Sequence, residues 1–252
     1  MTLFRSLPVL LLTLVPSLPA VCAEDDPTAA FDEKIDSLIR DHSYHAASNQ
    51  HAVVKTDDPR LDVDAVAALL ESFHGYFEGF WSKLMTLHEA PDRSRIYLFY
   101  SRYKYHQLLQ GLPPGVMEIV GHYTAYHDVV ALHTDSVGLE NLADLLLHEA
   151  THRLVQVRLY GNDYEPSPWV SEGIASYFGY TLRDRSGEFR TGQIGGKGTT
   201  FFDGVSPTSR GPASHTLGEY RRAVKKGLAT PLEEVLEADG DRFYAAEGSE
   251  ER

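Results

Sequence analysis

The chain has 252 residues, of which 42% are hydrophobic, and a formal net charge of −13. This length supports one globular domain of fair size or two small ones, and we start from one. The acidic balance argues against nucleic acid and anionic membrane surfaces as partners. A charge that merely keeps an exported protein soluble would account for the balance equally well.

The first 23 residues are typical of a secretory signal peptide. Arg5 supplies the positive start, residues 7–18 are apolar and rich in leucine, and small residues end the segment at Ala23. A membrane anchor would need about 20 uninterrupted apolar residues, whereas Pro8 and Pro16 interrupt this run and Pro19 follows it. We therefore predict a secreted or periplasmic protein without stable membrane insertion after cleavage.

Cys22 is the only cysteine of the chain. A lipoprotein anchor on Cys22 is disfavoured, because Pro19 and Val21 stand where such processing sites usually have an aliphatic and a small residue. Cleavage after Ala23 would leave a mature protein without cysteine, which excludes disulfides, thiolate metal ligands and a cysteine nucleophile.

Helices and strands then follow one another along the chain. We assign residues 24–50 to a helical lead-in that contains a helix from Phe31 to Arg40, and residues 51–252 to the main domain. A strand is expected from His51 to Thr56. Asp62 is expected to cap a long helix whose apolar positions recur every three or four residues as far as Leu84, and we expect its aromatic residues to be core.

Two β-rich regions come next, Arg95–Ser101 and Gly121–His133. Helical periodicity returns from Leu139 to Tyr160, and a second helix is expected to start near Pro168, since proline is favoured in a first turn. Glycine, serine and threonine dominate from residue 185 to residue 212, which indicates a long loop or a set of hairpins.

The sequence His148-Glu149-Ala150-Thr151-His152 lies inside the first of these two helices. Residues four apart share one helix face, so both imidazoles can reach a single ion. Glu149 is rotated by about 100 degrees from His148, close enough to address a water on that ion without being a ligand itself.

A zinc site with two imidazoles needs a third protein ligand and an open position for water. Glu172, on the following helix, supplies a carboxylate. Alone, Glu172 could equally be a glutamate favoured by the helix dipole. Beside the upstream motif we predict that it is the third ligand, and we expect Gly173 to leave room beside its carboxylate.

HEATH followed by WVSEGIASYF resembles the gluzincin branch of zinc metallopeptidases, whose thermolysin-like members use H-E-x-x-H and a glutamate on the next helix. The order of strand, long helix, strand and strand is similar to peptidase MA-like proteins. The resemblance implies a zincin-like α+β fold, with a small mixed sheet packed on the active-site helix. It also implies Zn²⁺ bound by His148, His152 and Glu172, Glu149 as the general base, and the strand before the motif helix as the upper edge of the cleft.

The chain departs from this family in two respects. Thermolysin has an aspartate four residues after the glutamate that orients a histidine ligand, whereas this chain has Ser176, a weaker partner. The chain also ends soon after Leu236, so we expect either a shortened domain or a missing C-terminal subdomain. The group that stabilises the oxyanion stays unassigned, with His215 and Tyr220 as candidates.

The sequence thus predicts a secreted zinc metallopeptidase that acts on peptide or protein substrates. Two alternatives stay open: a zinc hydrolase that cleaves another amide or an ester, and an inactive zincin-like binding or scaffold protein. A serine hydrolase is disfavoured, because no G-x-S-x-G sequence is present. The sequence gives no indication of the natural substrate or of the oligomeric state.

Overall fold

A computed structural model of the protein describes residues 27–40, 44–90, 92–109, 120–135, 139–161, 164, 166–179, 182–183, 189–190, 221–227, 229 and 232–237. Over these ranges the chain has an α+β fold, as the sequence predicts. The helices are α1 (Pro27–Arg40), α2 (Val63–Trp81), α3 (Arg102–Leu108), α4 (Leu139–Leu154), α5 (Pro168–Gly179), α6 (221–226) and α7 (Leu232–Glu237). The strands are β1 (His45–Ser48), β2 (Ala52–Thr56), β3 (Ser94–Phe99), β4 (Gly121–Thr124), β5 (Val129–His133), β6 (Leu182–Arg183) and β7 (Phe189–Arg190).

Five strands form one mixed sheet in the order β1-β2-β3-β5-β4. The three central strands run parallel to one another, and the edge strands β1 and β4 each run antiparallel to their single neighbour. The short strands β6 and β7 pair with each other in a separate sheet.

Helices cover both faces of the five-stranded sheet. One face packs against α2 and α4 through Val54, Ile96, Leu98, Val130 and Leu132 of the strands. The opposite face packs against α1 and α3 through Tyr97, Phe99, Val129 and Ala131. Because both faces are covered, every residue of β5 is buried, which is the usual state of a parallel strand.

The long helix α2 begins where its sequence predicts. The side chain of Asp62 accepts a hydrogen bond from the backbone N–H of Ala65, 3.1 Å away, and so satisfies one free donor of the first turn. Its aromatic residues are core, as expected: the ring of Phe77 lies 4.9 Å from that of Phe178 on α5. The predicted stripe is too long, because the helix ends at Trp81 and Leu84 lies 67% exposed in the turn that follows.

The helix predicted from Leu139 to Tyr160 is α-helical only as far as Leu154, the last residue of α4. The chain then continues as a π-helical turn over Val155–Leu159, in which the N–H of Tyr160 bonds to the carbonyl of Val155. Apolar spacing does not distinguish these two helical forms over so few residues. Such turns are rare and often lie beside functional sites.

Two elements that precede the motif helix escape the sequence reading. Strand β1, within the predicted helical lead-in, lacks β-branched residues and has mostly exposed side chains, but it pairs with β2 over four residues. Helix α3 has seven residues, too few for a clear period, although Tyr105 and Leu108 anchor it in the core. The region Gly121–His133 is a hairpin of β4 and β5 rather than one strand, and its turn ends at Asp128.

Several predictions fall outside the described residues. These are the signal peptide, most of the loop from residue 185 to residue 212, and the candidates His215 and Tyr220. Within the described ranges, no helix combines the length and the apolar character that a membrane span requires.

Candidate metal centre

Helix α4 carries His148, Glu149 and His152, and its geometry brings the two imidazoles together. Their rings meet edge to face with centroids 4.8 Å apart. The two Nε2 atoms are 3.2 Å apart. This is the arrangement expected when residues four apart lie one turn above each other on one face.

Helix α5 brings Glu172 to the same point. One carboxylate oxygen lies 3.3 Å from Nε2 of His148, and the other lies 3.6 Å from Nε2 of His152. One ligand atom from each of the three residues can be chosen so that all lie within 4.8 Å of one another. Their side chains are 13–28% exposed, so an ion from solvent can reach them.

These separations suit zinc. With Zn–N and Zn–O bonds of about 2.0–2.2 Å, two ligand atoms of a tetrahedral zinc site lie about 3.3–3.6 Å apart. The distance between the two Nε2 atoms, and the distance from each of them to its nearer oxygen of Glu172, fall close to that value. Two imidazole nitrogens and one carboxylate are also a donor set that catalytic zinc sites use. The residues present therefore fit a zinc ion.

Hydrogen bonds from α5 hold both imidazoles in place. Nδ1 of His152 lies 2.8 Å from the hydroxyl oxygen of Ser171. His148 is hydrogen-bonded to the backbone of Ala175. Such contacts fix the orientation and the tautomer of a histidine ligand and leave the other nitrogen free for the metal. The sequence points to Ser176 for this role, but the structure places Ser171, the residue just before the carboxylate, on His152.

The charges at the site favour a paired cation and anion. Burial lowers the pKa of His148, but the hydrogen bond to Glu172 and the nearby carboxylates outweigh burial, so the net pKa is raised. Burial raises the pKa of Glu172, yet its hydrogen bonds to His148 and His152 outweigh that effect and the net pKa lies well below the usual range. Glu172 is therefore an anion at neutral pH, as a cation ligand must be.

Glu149 lies against strand β4, close enough to the group of three for the charges of His148, His152 and Glu172 to act on its pKa. It is 7% exposed, and it is hydrogen-bonded to the backbone of Tyr123. A β-carbon added to Gly121 of the same strand would lie 3.4 Å from Cγ of Glu149 and only 2.9 Å from Leu132, so glycine leaves room there. Burial raises the pKa of Glu149, which brings this carboxylate closer to the range of a general base at neutral pH.

The strand at the edge of the sheet beside the motif helix is β4. The resemblance assigns the upper edge of the cleft to the strand region before that helix, Gly121–His133; within this region β4 lies at the edge of the sheet and β5 lies inside it. The reason is the hairpin: β4 and β5 are joined by a tight turn, and β5 pairs with β3 on its other side. The contact between Glu149 and Tyr123 therefore involves an edge strand.

An open groove of about 750 Å³ lies elsewhere, where α2 meets the segment that follows it. Gly75, Glu78, Gly79 and Arg158 are among its lining residues. It shares no residue with the three converging side chains. The ionisable residues that line it are Glu78, Lys83 and Arg158, and Glu78 is paired with Arg158.

Comparison with models of known protein families and with curated proteins finds no match to this chain. The case for a function therefore depends on the site itself. Two contacts that the sequence reading missed belong to that case: the hydroxyl of Ser171 and the backbone of Tyr123. A hydroxyl residue next to the carboxylate is a usable signal for the first, whereas a backbone contact leaves no signal in the sequence.

Proposed function

We propose that this protein is a zinc-dependent peptidase of the gluzincin type, with a zincin-like fold and an exported destination. The observation that carries the proposal is the convergence of His148, His152 and Glu172 beside the buried carboxylate of Glu149. A mixed sheet packed on the motif helix, followed by a helix that bears the glutamate, supports the zincin-like assignment.

In this proposal His148, His152 and Glu172 hold the zinc. When bound, zinc polarises a substrate carbonyl and lowers the pKa of a water toward neutrality. Glu149 accepts a proton from the attacking water and then delivers it to the amine that leaves. The raised pKa of Glu149 serves both steps, because a base with a pKa nearer the working pH also returns its proton readily.

Two other functions use the same ligands. A zinc hydrolase that cleaves a non-peptide amide or an ester needs the same three ligands and the same base. A scaffold protein needs only the zinc. Among the described residues three candidate ligands converge. A purely structural zinc site is usually closed by four protein ligands, so three ligands beside a buried base favour hydrolysis over a scaffold. The choice between peptide and other substrates depends on assays with both.

The decisive experiment measures zinc and hydrolysis in the same preparation. We expect about one equivalent of zinc per mature chain, and cleavage of peptides that a chelator abolishes and added zinc restores. Cleavage of esters or small amides without peptide cleavage would select the second function. One equivalent of zinc without turnover of any library would select the scaffold.

Glu149→Gln separates chemistry from metal binding. This variant should keep its zinc and lose hydrolysis by a factor of about 10² to 10⁴, because the amide of glutamine cannot take the proton. His148→Ala should lose both zinc and hydrolysis. Metal analysis and peptide cleavage are measured on each variant, and wild-type cleavage by Glu149→Gln would reject the role of the base.

A further inference from the structure

Arg153 directly follows the ligand His152 on α4, and it is 1% exposed. Its guanidinium forms a two-pronged ion pair with Asp128: Nε lies 2.8 Å from one carboxylate oxygen and Nη2 lies 2.8 Å from the other. Nη2 also donates to the backbone carbonyl of Asp92 at 3.0 Å. Both guanidinium nitrogens that face Asp128 are therefore hydrogen-bonded.

Asp128 ends the turn that joins β4 to β5. Its φ of 48° lies in the left-handed region, which aspartate tolerates better than most residues. The hydroxyl of Tyr123 donates to the same carboxylate at 3.3 Å. The ion pair thus ties the hairpin turn to α4 at the residue next to a metal ligand. We call the pair of Arg153 and Asp128 the clamp.

Strand β4 has four residues and pairs with β5 on one side only. Strand pairing alone holds such a short edge strand weakly. Yet Glu149 depends on it, since the carboxylate is hydrogen-bonded to the backbone of Tyr123 and lies against Gly121. A shift of β4 would move the hydrogen-bond donor that holds Glu149.

An ion pair with one fully buried partner is also an inefficient way to stabilise a fold. Arg153 is 1% exposed and Asp128 is 30% exposed, and taking charges out of water is costly, so apolar residues of similar volume often serve stability as well. Arg153 is the largest of the fully buried side chains among the described residues. The clamp is better explained by the geometry that it imposes, a fixed distance between the turn of β4 and α4.

We propose that Arg153 is a positioning residue for Glu149: through Asp128 it fixes strand β4, whose Tyr123 backbone N–H holds the carboxylate. The inference rests on the proposed function, in which Glu149 is the general base. Arg153 itself touches no reacting atom in this account.

The test removes the ion pair without leaving a lone buried charge, in the double variant Arg153→Met with Asp128→Asn. Methionine fills the volume, and asparagine keeps a residue that accepts the left-handed backbone. We expect zinc affinity and KM to stay within about threefold of the wild type, while kcat falls about 10-fold to 100-fold, as for a misplaced catalytic group. In the zinc-free protein, hydrogen exchange at the Tyr123 amide should become at least about tenfold faster.

A matched control removes another buried ion pair, that of Lys104 and Asp57, whose side chains are 13% and 0% exposed. The variant Lys104→Met with Asp57→Asn costs a similar amount of buried charge, but it leaves the clamp intact. We expect its kcat and its Tyr123 exchange rate to match the wild type. Equal losses in both double variants would mean general loosening and would overturn the proposal.

The remaining outcomes are also decisive. Wild-type kcat and wild-type exchange at Tyr123 in the clamp variant would refute the positioning role. If that variant does not fold, Arg153→Lys takes its place, because lysine keeps the charge and can reach one oxygen of Asp128. We then expect a loss of kcat and a rise in Tyr123 exchange that are smaller than those expected of the double variant. No change in either would also refute the role. A wild type without zinc-dependent hydrolysis would instead reject the proposed function, and the exchange measurement would still test the clamp.

Discussion

At the scale of single residues, the proposed metal centre depends on hydroxyl and backbone contacts as much as on its proposed ligands. An imidazole that binds an ion through Nε2 needs its other nitrogen engaged, or the ring turns and the wrong tautomer competes. For His152 that partner is the hydroxyl of Ser171, 2.8 Å away. Ser171 is therefore expected to matter for metal affinity although it cannot be a strong ligand.

Replacing Ser171 by alanine should weaken zinc binding by about 10-fold to 100-fold, the usual effect of losing a partner of a histidine ligand. The side chain is small and partly exposed, so the fold should be little affected. Competition with a zinc-binding dye measures the affinity. Ser176→Ala is the matched control on the same helix, and an unchanged affinity in Ser171→Ala would remove Ser171 from the site.

The two histidines and the place of Glu149 beside them could be proposed from sequence because helix geometry fixes which side chains share a face, and Glu172 because a zinc site with two imidazoles needs a third ligand. Ser171 could not, since its partner depends on the angle at which α5 docks on α4. The same limit applies to the backbone of Tyr123, which depends on where an edge strand lies. Local spacing predicts contacts within an element, and packing decides contacts between elements.

At the scale of elements, the approach of α5 to α4 decides whether Glu172 reaches the histidines. Gly179, the last residue of α5, lies close against His148 of α4. A β-carbon built there would lie 2.8 Å from Cβ and 3.1 Å from Cα of His148. Backbone atoms cannot move aside without moving the helix, so this position requires glycine.

Gly179→Ala should therefore separate the two helices, lower the free energy of unfolding by about 1–3 kcal/mol as overpacking does, and weaken zinc binding. Gly173→Ala is the control, because an added β-carbon there meets nothing within 4 Å. In an exposed helical position that change should raise stability by about 0.5–1 kcal/mol. Urea unfolding and zinc titration of both variants measure the difference, and equal behaviour would contradict the close approach.

Gly173 also illustrates what sequence cannot decide. Its position next to Glu172 suggests room for the carboxylate, but its missing side chain faces open space, and the glycines without room for a β-carbon near the site are Gly121 and Gly179. The elements themselves were more predictable: α2, α4 and α5 have strong periods and clear starts. Strand β1 and helix α3 were missed because pairing partners and buried anchors, rather than local pattern, stabilise them.

At the scale of the whole molecule, a second pair of histidines links stability to acidity. His74 of α2 is 5% exposed, and its ring stacks on His51 with centroids 3.8 Å apart. Burial, followed by the charges of His51, Arg158 and Arg153, lowers the pKa of His74 to about 3. The folded protein therefore holds His74 neutral over a pH range in which an unfolded chain would protonate it.

The sign of the effect follows from proton linkage. Between the ordinary histidine pKa of 6.5 and the folded pKa of about 3, the unfolded chain binds the proton and the folded chain does not, so acid favours unfolding. His74 should contribute no pH dependence to the free energy of unfolding above pH 6.5 and a loss of about 1.4 kcal/mol per pH unit below it, which is about 2–3 kcal/mol at pH 4.5.

Urea unfolding at pH 7.5, 5.5 and 4.5, with chelator present so that zinc release does not contribute, measures this loss. At pH 7.5 the difference between wild type and His74→Phe reports packing alone, and it should shift in favour of the variant as the pH falls. A difference that stays constant from pH 7.5 to pH 4.5 would show that His74 takes up its proton in the folded state, and the acid sensitivity of the molecule would then have to come from other groups, such as His122, whose pKa burial lowers to about 4.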